Sequence, residues 1–254
     1  MLRVIQISDC HLSADLAYEK HGVNTAEAFE AVLQDIHTQA KPDLIIASGD
    51  IAEHPSKAVY ERFFDRLASF TCPIVCVPGN HDNKALLDKC IPAPPSGSGL
   101  ERGGIDFKFW QIIGLDSNGP AKEPYGGYLN EVELNLLEQK LQASDKYSLL
   151  VMHHPLIVNE PGWLQQVKLE NADVLYKLIG DYHQIKGLVS GHIHYAYDIE
   201  LDGNLYLSCP STYRQFNGQS TKFSLAVDSR PGYRKLCLMD NGQIVSEPCF
   251  IEWG

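Results

Sequence analysis

Five short motifs in this chain of 254 residues combine acids, imidazoles and an amide: Asp9-Cys10-His11, Gly49-Asp50, Gly79-Asn80-His81-Asp82, His153-His154 and Gly191-His192-Ile193-His194. Each follows a short apolar run, as Leu44–Ala47 precedes Gly49. Polar groups placed just past the carboxyl ends of several strands in an α/β sheet converge on one crevice, which is where such folds build sites. A lone Asp-x-His is ordinarily a surface or core feature, but five such motifs in order are not. Asp9 and His11 are two residues apart, as are His192 and His194. On extended chain such pairs face the same side with backbones roughly 6.6 Å apart. That reach suits two metal ions about 3.5–4 Å apart, the separation at which both can clamp one phosphate. Carboxylate, imidazole and amide oxygen without thiolate favour manganese, iron, zinc or cobalt over a structural zinc site or a calcium cage. Asp50 is the candidate bridge, because one carboxylate can give an oxygen to each cation. Gly49, Gly79 and Gly191 are expected where strands turn sharply and bring backbone close to the ions.

The composition narrows the substrate. The formal charge is -11 at pH 7, and no local Lys/Arg cluster supplies the basic track that a nucleic acid polymer requires. Two carboxylates facing two divalent cations would still leave the site locally positive, so a small anionic phosphodiester fits where a polymer does not. The 7 cysteines have no disulfide or zinc-ribbon spacing, so reduced thiols are expected, with Cys72 and Cys76 serving as small buried hydrophobes and Cys10 as core. The longest apolar runs fall far below the roughly 20 residues of a membrane span. The opening MLRVIQISDC reads as a first strand and not as a secretory signal. A cytoplasmic protein without membrane partners follows as the expectation; nothing in the sequence sets an oligomeric state.

The elements that must hold these motifs are legible as an alternation of strands and helices. Residues 2–8 read as an alternating strand. Asn24 with Glu27 three residues on announces a helix carrying Phe29, Val32, Leu33 and Ile36. Leu44–Ala47 and Ile74–Val77 read as buried strands, with Val59, Phe63, Leu67 and Phe70 at helical spacing between them. Leu134, Leu137 and Leu141 mark a helix before the strand Leu149–Met152, and Val174, Leu175 and Leu178 mark one before Ile185–Val189. Beyond residue 195 the chain turns to β-structure, with hairpins at Asp202-Gly203-Asn204 and Asp240-Asn241-Gly242. The Pro/Gly/Ser stretch 92–99 resembles a linker, yet proposed ligands lie on both sides of it, so a rim loop within one domain spanning 1–254 is expected.

D-x-H, GD, GNHD, H and GHxH in this order, over residues 9–194, resemble the calcineurin-like metallophosphoesterases. Gly22-Val23-Asn24-Thr25, His153-His154-Pro155 and Cys209-Pro210-Ser211-Thr212 with Gln215-Phe216 extend the likeness toward the bacterial class III 3',5'-cyclic AMP phosphodiesterases. The resemblance implies an α/β fold, a four-layer α/β/β/α sandwich. It implies that Asp9, His11, Asp50 and His194 hold one metal and Asp50, Asn80, His153 and His192 the other, with iron or manganese in two divalent or mixed-valence ions. By the same resemblance His11, Asp50, Asn80, His81 and His194 contact the phosphate, His81 assists the leaving oxygen without ligating, and Asp82 orients the loop.

The implied reaction opens 3',5'-cyclic AMP to 5'-AMP through a metal-bridging hydroxide. An acyclic phosphodiesterase, such as a glycerophosphodiester hydrolase, is the alternative, since its ligand pattern is nearly the same. A Ser/Thr protein phosphatase is disfavoured because Gly49–His54 lacks the arginine that follows the bridging Asp in that class. A non-catalytic scaffold is disfavoured because no ligand is missing. His154 either supports the site from behind or packs beside Pro155, the packing role being preferred. His21, His37, His54 and His183 are read as ordinary polar residues.

Overall fold

The computed structural model describes residues 1–92, 104–159 and 162–252. In chain order its strands are β1 (Leu2–Ile7), β2 (Glu19–Lys20), β3 (Val23–Asn24), β4 (Leu44–Ala47), β5 (Ile74–Cys76), β6 (Gly104–Asp106), β7 (Trp110–Gly114), β8 (Tyr147–Val151), β9 (Ile185–Ser190), β10 (Tyr197–Leu201), β11 (Asn204–Ser208), β12 (Gly232–Leu238) and β13 (Ile244–Phe250). Its helices are α1 (Thr25–Thr38), α2 (Lys57–Leu67), α3 (Lys84–Cys90), α4 (Glu131–Gln142) and α5 (Ala172–Asp181). One sheet runs β13-β12-β1-β4-β5 and a second runs β10-β11-β9-β8-β7-β6. β1, β4 and β5 are parallel neighbours, and so are β7, β8 and β9.

The sandwich follows from which faces are apolar. Val4, Leu44, Ile46 and Val75 of the first sheet pack with Leu149, Val151, Val189 and Leu207 of the second, forming the core between the sheets. The opposite face of the first sheet, through Ile5, Ile7 and Ile45, packs on Phe29, Val32 and Ile36 of α1 and Val59, Phe63 and Leu67 of α2. The opposite face of the second, through Leu150 and Leu188, packs on Leu137 and Leu141 of α4 and Leu175 and Ile179 of α5. The order of layers is therefore α/β/β/α. β1 is buried on both faces from Val4 to Ile7, Gln6 included, so the expected alternation of buried and exposed positions is absent.

Two buried polar side chains tie the sheets together. Gln6 on β1 donates through Nε2 to Ser48 Oγ at 2.9 Å and to the Ser190 carbonyl at 2.9 Å, directly below the crevice. Arg234 on β12, wholly buried, donates to the Ser208 carbonyl at 2.7 Å and the Tyr197 carbonyl at 3.1 Å and pairs with Asp198 at 2.6 Å. A buried guanidinium is tolerated because its donors are satisfied.

Most of the expected elements are present. Asn24 caps α1, accepting from the Ala26 and Glu27 amides. β10 and β11 form the first hairpin, with Asp202 and Gly203 at φ 51° and 78°, the mirror-image turn that such a link demands. β12 and β13 form the second. Val174 lies in α5 but is 45% exposed; the buried stripe uses Leu175 and Ile179 instead. Cys10 is buried, whereas Cys72 and Cys76 are only partly covered at the edge of the core. The linker-like stretch 92–99 falls, from residue 93 on, outside the described residues. No helix among the described residues is long and apolar enough to cross a membrane.

Candidate metal centre

All five motifs sit in loops immediately past strand ends: Asp9 and His11 after β1, Asp50 after β4, Asn80–Asp82 after β5, His153 and His154 after β8, and His192 and His194 after β9. Contributors from both sheets meet because these strands are parallel within each sheet and present the same ends. The pairs Asp9/His11 and His192/His194 are not on extended chain, contrary to the expectation from spacing. Asp9, His11, Asp50, His192 and His194 all have positive φ, between 43° and 73°. Left-handed backbone in non-glycine residues costs of order 1–3 kcal/mol each and collects where function requires a fixed aim. The strand is broken so that the side chains can turn inward.

The glycines act in two ways. Gly49 has φ 95° and supplies a turn. Gly79 and Gly191 provide room instead: a Cβ on Gly79 would stand 2.1 Å from Asp50 Oδ1, and one on Gly191 would stand 1.9 Å from Ser8 Oγ.

The seven residues expected as ligands are brought together. His194 Nε2 lies 3.3 Å from Asp9 Oδ1 and 3.2 Å from His11 Nε2. Asp50 Oδ2 lies 3.6 Å from His11 Nε2 and 3.4 Å from His153 Nε2, between the two halves of the cluster. His153 Nε2 is 3.1 Å from Asn80 Oδ1 and 3.1 Å from His192 Nδ1. Ligand atoms of Asp9, His11 and His194 all lie within 4.8 Å of one another, as do those of Asp9, Asp50 and His153. His81 groups with His11 and Asp50 on the same criterion, and His154 with His153 and His192.

The tautomers test whether cations fit. His11 Nδ1 is 2.7 Å from Glu53 Oε2, His153 Nδ1 2.8 Å from the Ser48 carbonyl, and His194 Nδ1 3.0 Å from the Arg214 carbonyl. On His11 and His194 the acceptor fixes the proton on Nδ1 and leaves Nε2 with a lone pair, whereas His153 presents one at Nε2 only after losing its second proton. Two such lone pairs, on His11 and His194, then face each other at 3.2 Å with no hydrogen between them. His192 faces His153 through Nδ1 at 3.1 Å, so its lone pair belongs at Nδ1 and its proton at the buried, unpartnered Nε2. Acceptors converging without donors are what a divalent cation satisfies, and the mixed oxygen and nitrogen donors suit such an ion.

Electrostatics agree. Burial would raise the Asp50 carboxyl, but His153 and His11 overcome it and hold it well below the usual carboxylate range. Asp9 is lowered to about 2, His194 outweighing burial. Burial drives His11 down to about 4 and His192 to about 3, so both are neutral near pH 7. His153 behaves differently: burial would lower it, yet Asp50 lifts it to about 9.

Glu53 and His21 stand around this centre without a motif to announce them, beside Asp82, His154 and the segment Cys209–Thr212, which the motifs named. Glu53, three positions after Asp50, accepts from Lys20, from His11 and, at 3.1 Å, from His81 Nδ1. Its hydrogen bond raises His81. Asp82 accepts from the amides of Gly79 at 2.9 Å, Ala52 at 3.1 Å and Ile51 at 3.2 Å, and from the Tyr60 hydroxyl at 3.1 Å, so it shapes the loop. Ser211 Oγ donates to the Asp9 carbonyl at 2.8 Å, which gives the segment Cys209–Thr212 its physical role. His154 is wholly buried, its Nδ1 2.8 Å from Ser117 Oγ and its ring 4.6 Å from that of His192. His21, read as an ordinary polar residue, lines the cavity over the site.

A crevice at the strand ends of a two-sheet sandwich, with Asp, His and Asn donors converging from five loops, defines a phosphoesterase-type metal site. The family model for calcineurin-like phosphoesterases matches residues 2–196, and the chain belongs to that family. Among relatives, the 3',5'-cyclic adenosine monophosphate phosphodiesterase CpdA of Escherichia coli K12 is 36% identical over 97% of this chain and 88% of its own length. The protein of the same name from Pseudomonas aeruginosa is 33% identical over 95% and 87%. A 3',5'-cyclic-nucleotide phosphodiesterase of Nostoc is 30% identical over 95% and 89%. Solved structures share the fold at low identity. A dimetal phosphatase from Danio rerio superposes with a TM-score of 0.59 at 15% identity over 92% of this chain and 94% of its own. The Plasmodium inner-membrane-complex anchor GAP50 superposes with 0.65 at 16% over 98% and 84%. A phosphatase and an anchor on one fold mean that the site, not the architecture, must argue the activity.

Proposed function

We propose that this chain, acting as one domain over residues 1–254, hydrolyses 3',5'-cyclic AMP to 5'-AMP at a dinuclear centre. Asp9, His11, Asp50 and His194 would hold one ion and Asp50, Asn80, His153 and His192 the other. The observation that carries the reading is the position of Asp50, whose Oδ2 stands between His11 at 3.6 Å and His153 at 3.4 Å, where one carboxylate serves both halves. Relatives named as cyclic AMP phosphodiesterases supply the substrate class. Two bound divalent ions supply Lewis-acid polarisation of the phosphoryl oxygens. The donor chemistry admits manganese, iron, zinc or cobalt without choosing among them, and the family resemblance is what favours iron or manganese.

The protein's own residues do the rest. His81 is partly exposed to the cavity, and Glu53 accepts from its Nδ1 and favours the imidazolium, the one form in which Nε2 also carries a proton for a departing 3'-oxygen. Glu53 keeps His81 charged at higher pH than a free imidazole would be. Asn80, with Oδ1 turned to His153, leaves its amide NH2 for a phosphoryl oxygen. The Asp50 carboxylate accepts the His81 backbone amide at 2.8 Å, which couples the acid's position to the centre.

A product assay tests this reading. Metal-replete protein is offered 3',5'-cyclic AMP, 3',5'-cyclic GMP, 2',3'-cyclic AMP and a glycerophosphodiester, with a chelated control. The expected result is 5'-AMP formation from 3',5'-cyclic AMP that the chelator abolishes. Preference for the glycerophosphodiester would replace the reading with the acyclic alternative.

A further inference from the structure

The cavity above the metal-site side chains has a volume of about 680 Å³, within the range typical of small-molecule sites and larger than a phosphate held on its floor would use. Its wall is aromatic. Phe216 stacks on His194 with ring centroids 4.0 Å apart and planes at 10°. Phe223 stands edge-on to Phe216 at 4.8 Å, and Trp163 stands edge-on to Phe223 at 5.4 Å and to Phe216 at 5.9 Å. Two ring contacts thus lead from a proposed metal ligand to an aromatic surface.

That surface is held rigid from behind and open in front. Trp163 packs with Leu164, Val158 and Ile193, and its Nε1 donates to the Asn217 carbonyl at 3.4 Å. The segment carrying Phe216 and Phe223 is closed by a bridge between Phe216 and Leu225 and by the Asn217 amide donating to the Ser224 carbonyl at 2.8 Å. Phe223 nevertheless keeps 53% of its surface exposed. Tyr125, 64% exposed with φ 69°, lines the same cavity, and so bulky a residue seldom takes left-handed backbone. Rigid exposed rings beside a phosphate-sized floor are a stacking platform for a planar heterocycle.

The geometry points to Trp163 and Phe223 as the subsite that stacks the base of a nucleoside cyclic phosphate while its phosphate occupies the floor between His11, Asp50, Asn80 and His194. This rests on the phosphodiesterase reading above for the phosphate, and it adds how a nucleotide is preferred over a diester without a base. Stacking tolerates any base because each has a π face, so adenine and guanine substrates are accepted within about tenfold of each other, and base-free diesters are disfavoured.

Phe223→Ala and Trp163→Ala are compared with wild type on 3',5'-cyclic AMP and on the 3',5'-cyclic phosphate of methyl riboside, which keeps the ring diester and lacks a base. Phe223→Ala removes a half-exposed ring and leaves the core intact. The expected result is a loss of roughly 5- to 150-fold in kcat/KM on cyclic AMP, mainly through KM, with the base-free substrate within twofold of wild type. Equal losses on both substrates, or none on either, overturn the subsite. Adenosine, which has no phosphate, is titrated calorimetrically into the metal-loaded full chain as a separate readout. If neither cyclic phosphate is turned over yet adenosine binds and Phe223→Ala weakens it at least fivefold, the activity assignment fails and the subsite stands. Adenosine binding unchanged in both variants overturns it.

Discussion

Substituting Gly79 by alanine should dismantle the metal site without touching a ligand. Gly79 is not needed here for left-handed backbone; what matters is that Asp50 lies against its Cα. An added methyl carbon would sit 2.1 Å from Asp50 Oδ1, 2.3 Å from Asp50 N and 2.7 Å from its carboxyl carbon, where ordinary contact begins at 3.4 Å. Relief requires Asp50, backbone included, to retreat by more than about 1 Å, at an overpacking cost of about 1–3 kcal/mol. A displacement of that size at a reacting centre costs about 100-fold in rate, and Asp50 is the proposed shared ligand. The control is Gly180→Ala in α5, where an added Cβ meets nothing within 4 Å. There the expected change is neutral or stabilising by up to about 1 kcal/mol. Metal per chain after gel filtration, kcat/KM on cyclic AMP and the thermal midpoint would be read for both. Gly79→Ala should lose at least one ion per chain and about 100-fold in kcat/KM while retaining its near-ultraviolet circular dichroism. A Gly79→Ala protein with full metal and a rate within threefold of wild type would show that Asp50 does not depend on bare backbone at residue 79.

Three further outcomes are expected. His81→Ala should retain both metals and lose about 100- to 10,000-fold on cyclic AMP, whose leaving group is an alkoxide, but far less on an activated aryl diester; equal losses would remove the acid assignment. Metal uptake should strengthen with rising pH up to about 9. The metal-free His153 is held protonated to about 9 while His11 and His192 are already neutral above about 4 and 3, so His153 must surrender a proton to ligate. Apparent affinity should therefore rise by up to tenfold per pH unit from this group between pH 6 and pH 8, and calorimetry in buffers of different ionisation enthalpy should detect proton release at pH 7; a flat profile would contradict the assignment. Weakening thus sets in well above the pH 6 that a free imidazole suggests. Arg234→Leu should orphan the Ser208 and Tyr197 carbonyls and free Asp198, which is itself partly exposed, for a loss of about 2–4 kcal/mol. A thermal midpoint lower by roughly 5–15 °C would report it, and an unchanged midpoint would deny the cross-sheet tie.

Residue types and local order along the chain set which chemistry was possible and much of the scaffold. Acids, imidazoles and one amide after short apolar runs identify an oxygen and nitrogen metal site, because side-chain type is independent of fold. Asn24 capping α1 and Asp202-Gly203 turning the β10–β11 hairpin were legible because capping and turn chemistry act over a few residues. Tertiary structure decided the aim. Spacing suggested that Asp9/His11 and His192/His194 point inward from extended chain, whereas the chain leaves its strands and takes left-handed backbone at all four residues. His11 meets His194 across 183 positions, and His153 meets the Ser48 carbonyl across 105. Glu53, the room left by Gly79 and the aromatic wall of Trp163 and Phe223 carry no local signature. Their roles arise from contacts between segments that only the packing of two sheets brings together, and short-range preferences contain no term for such contacts.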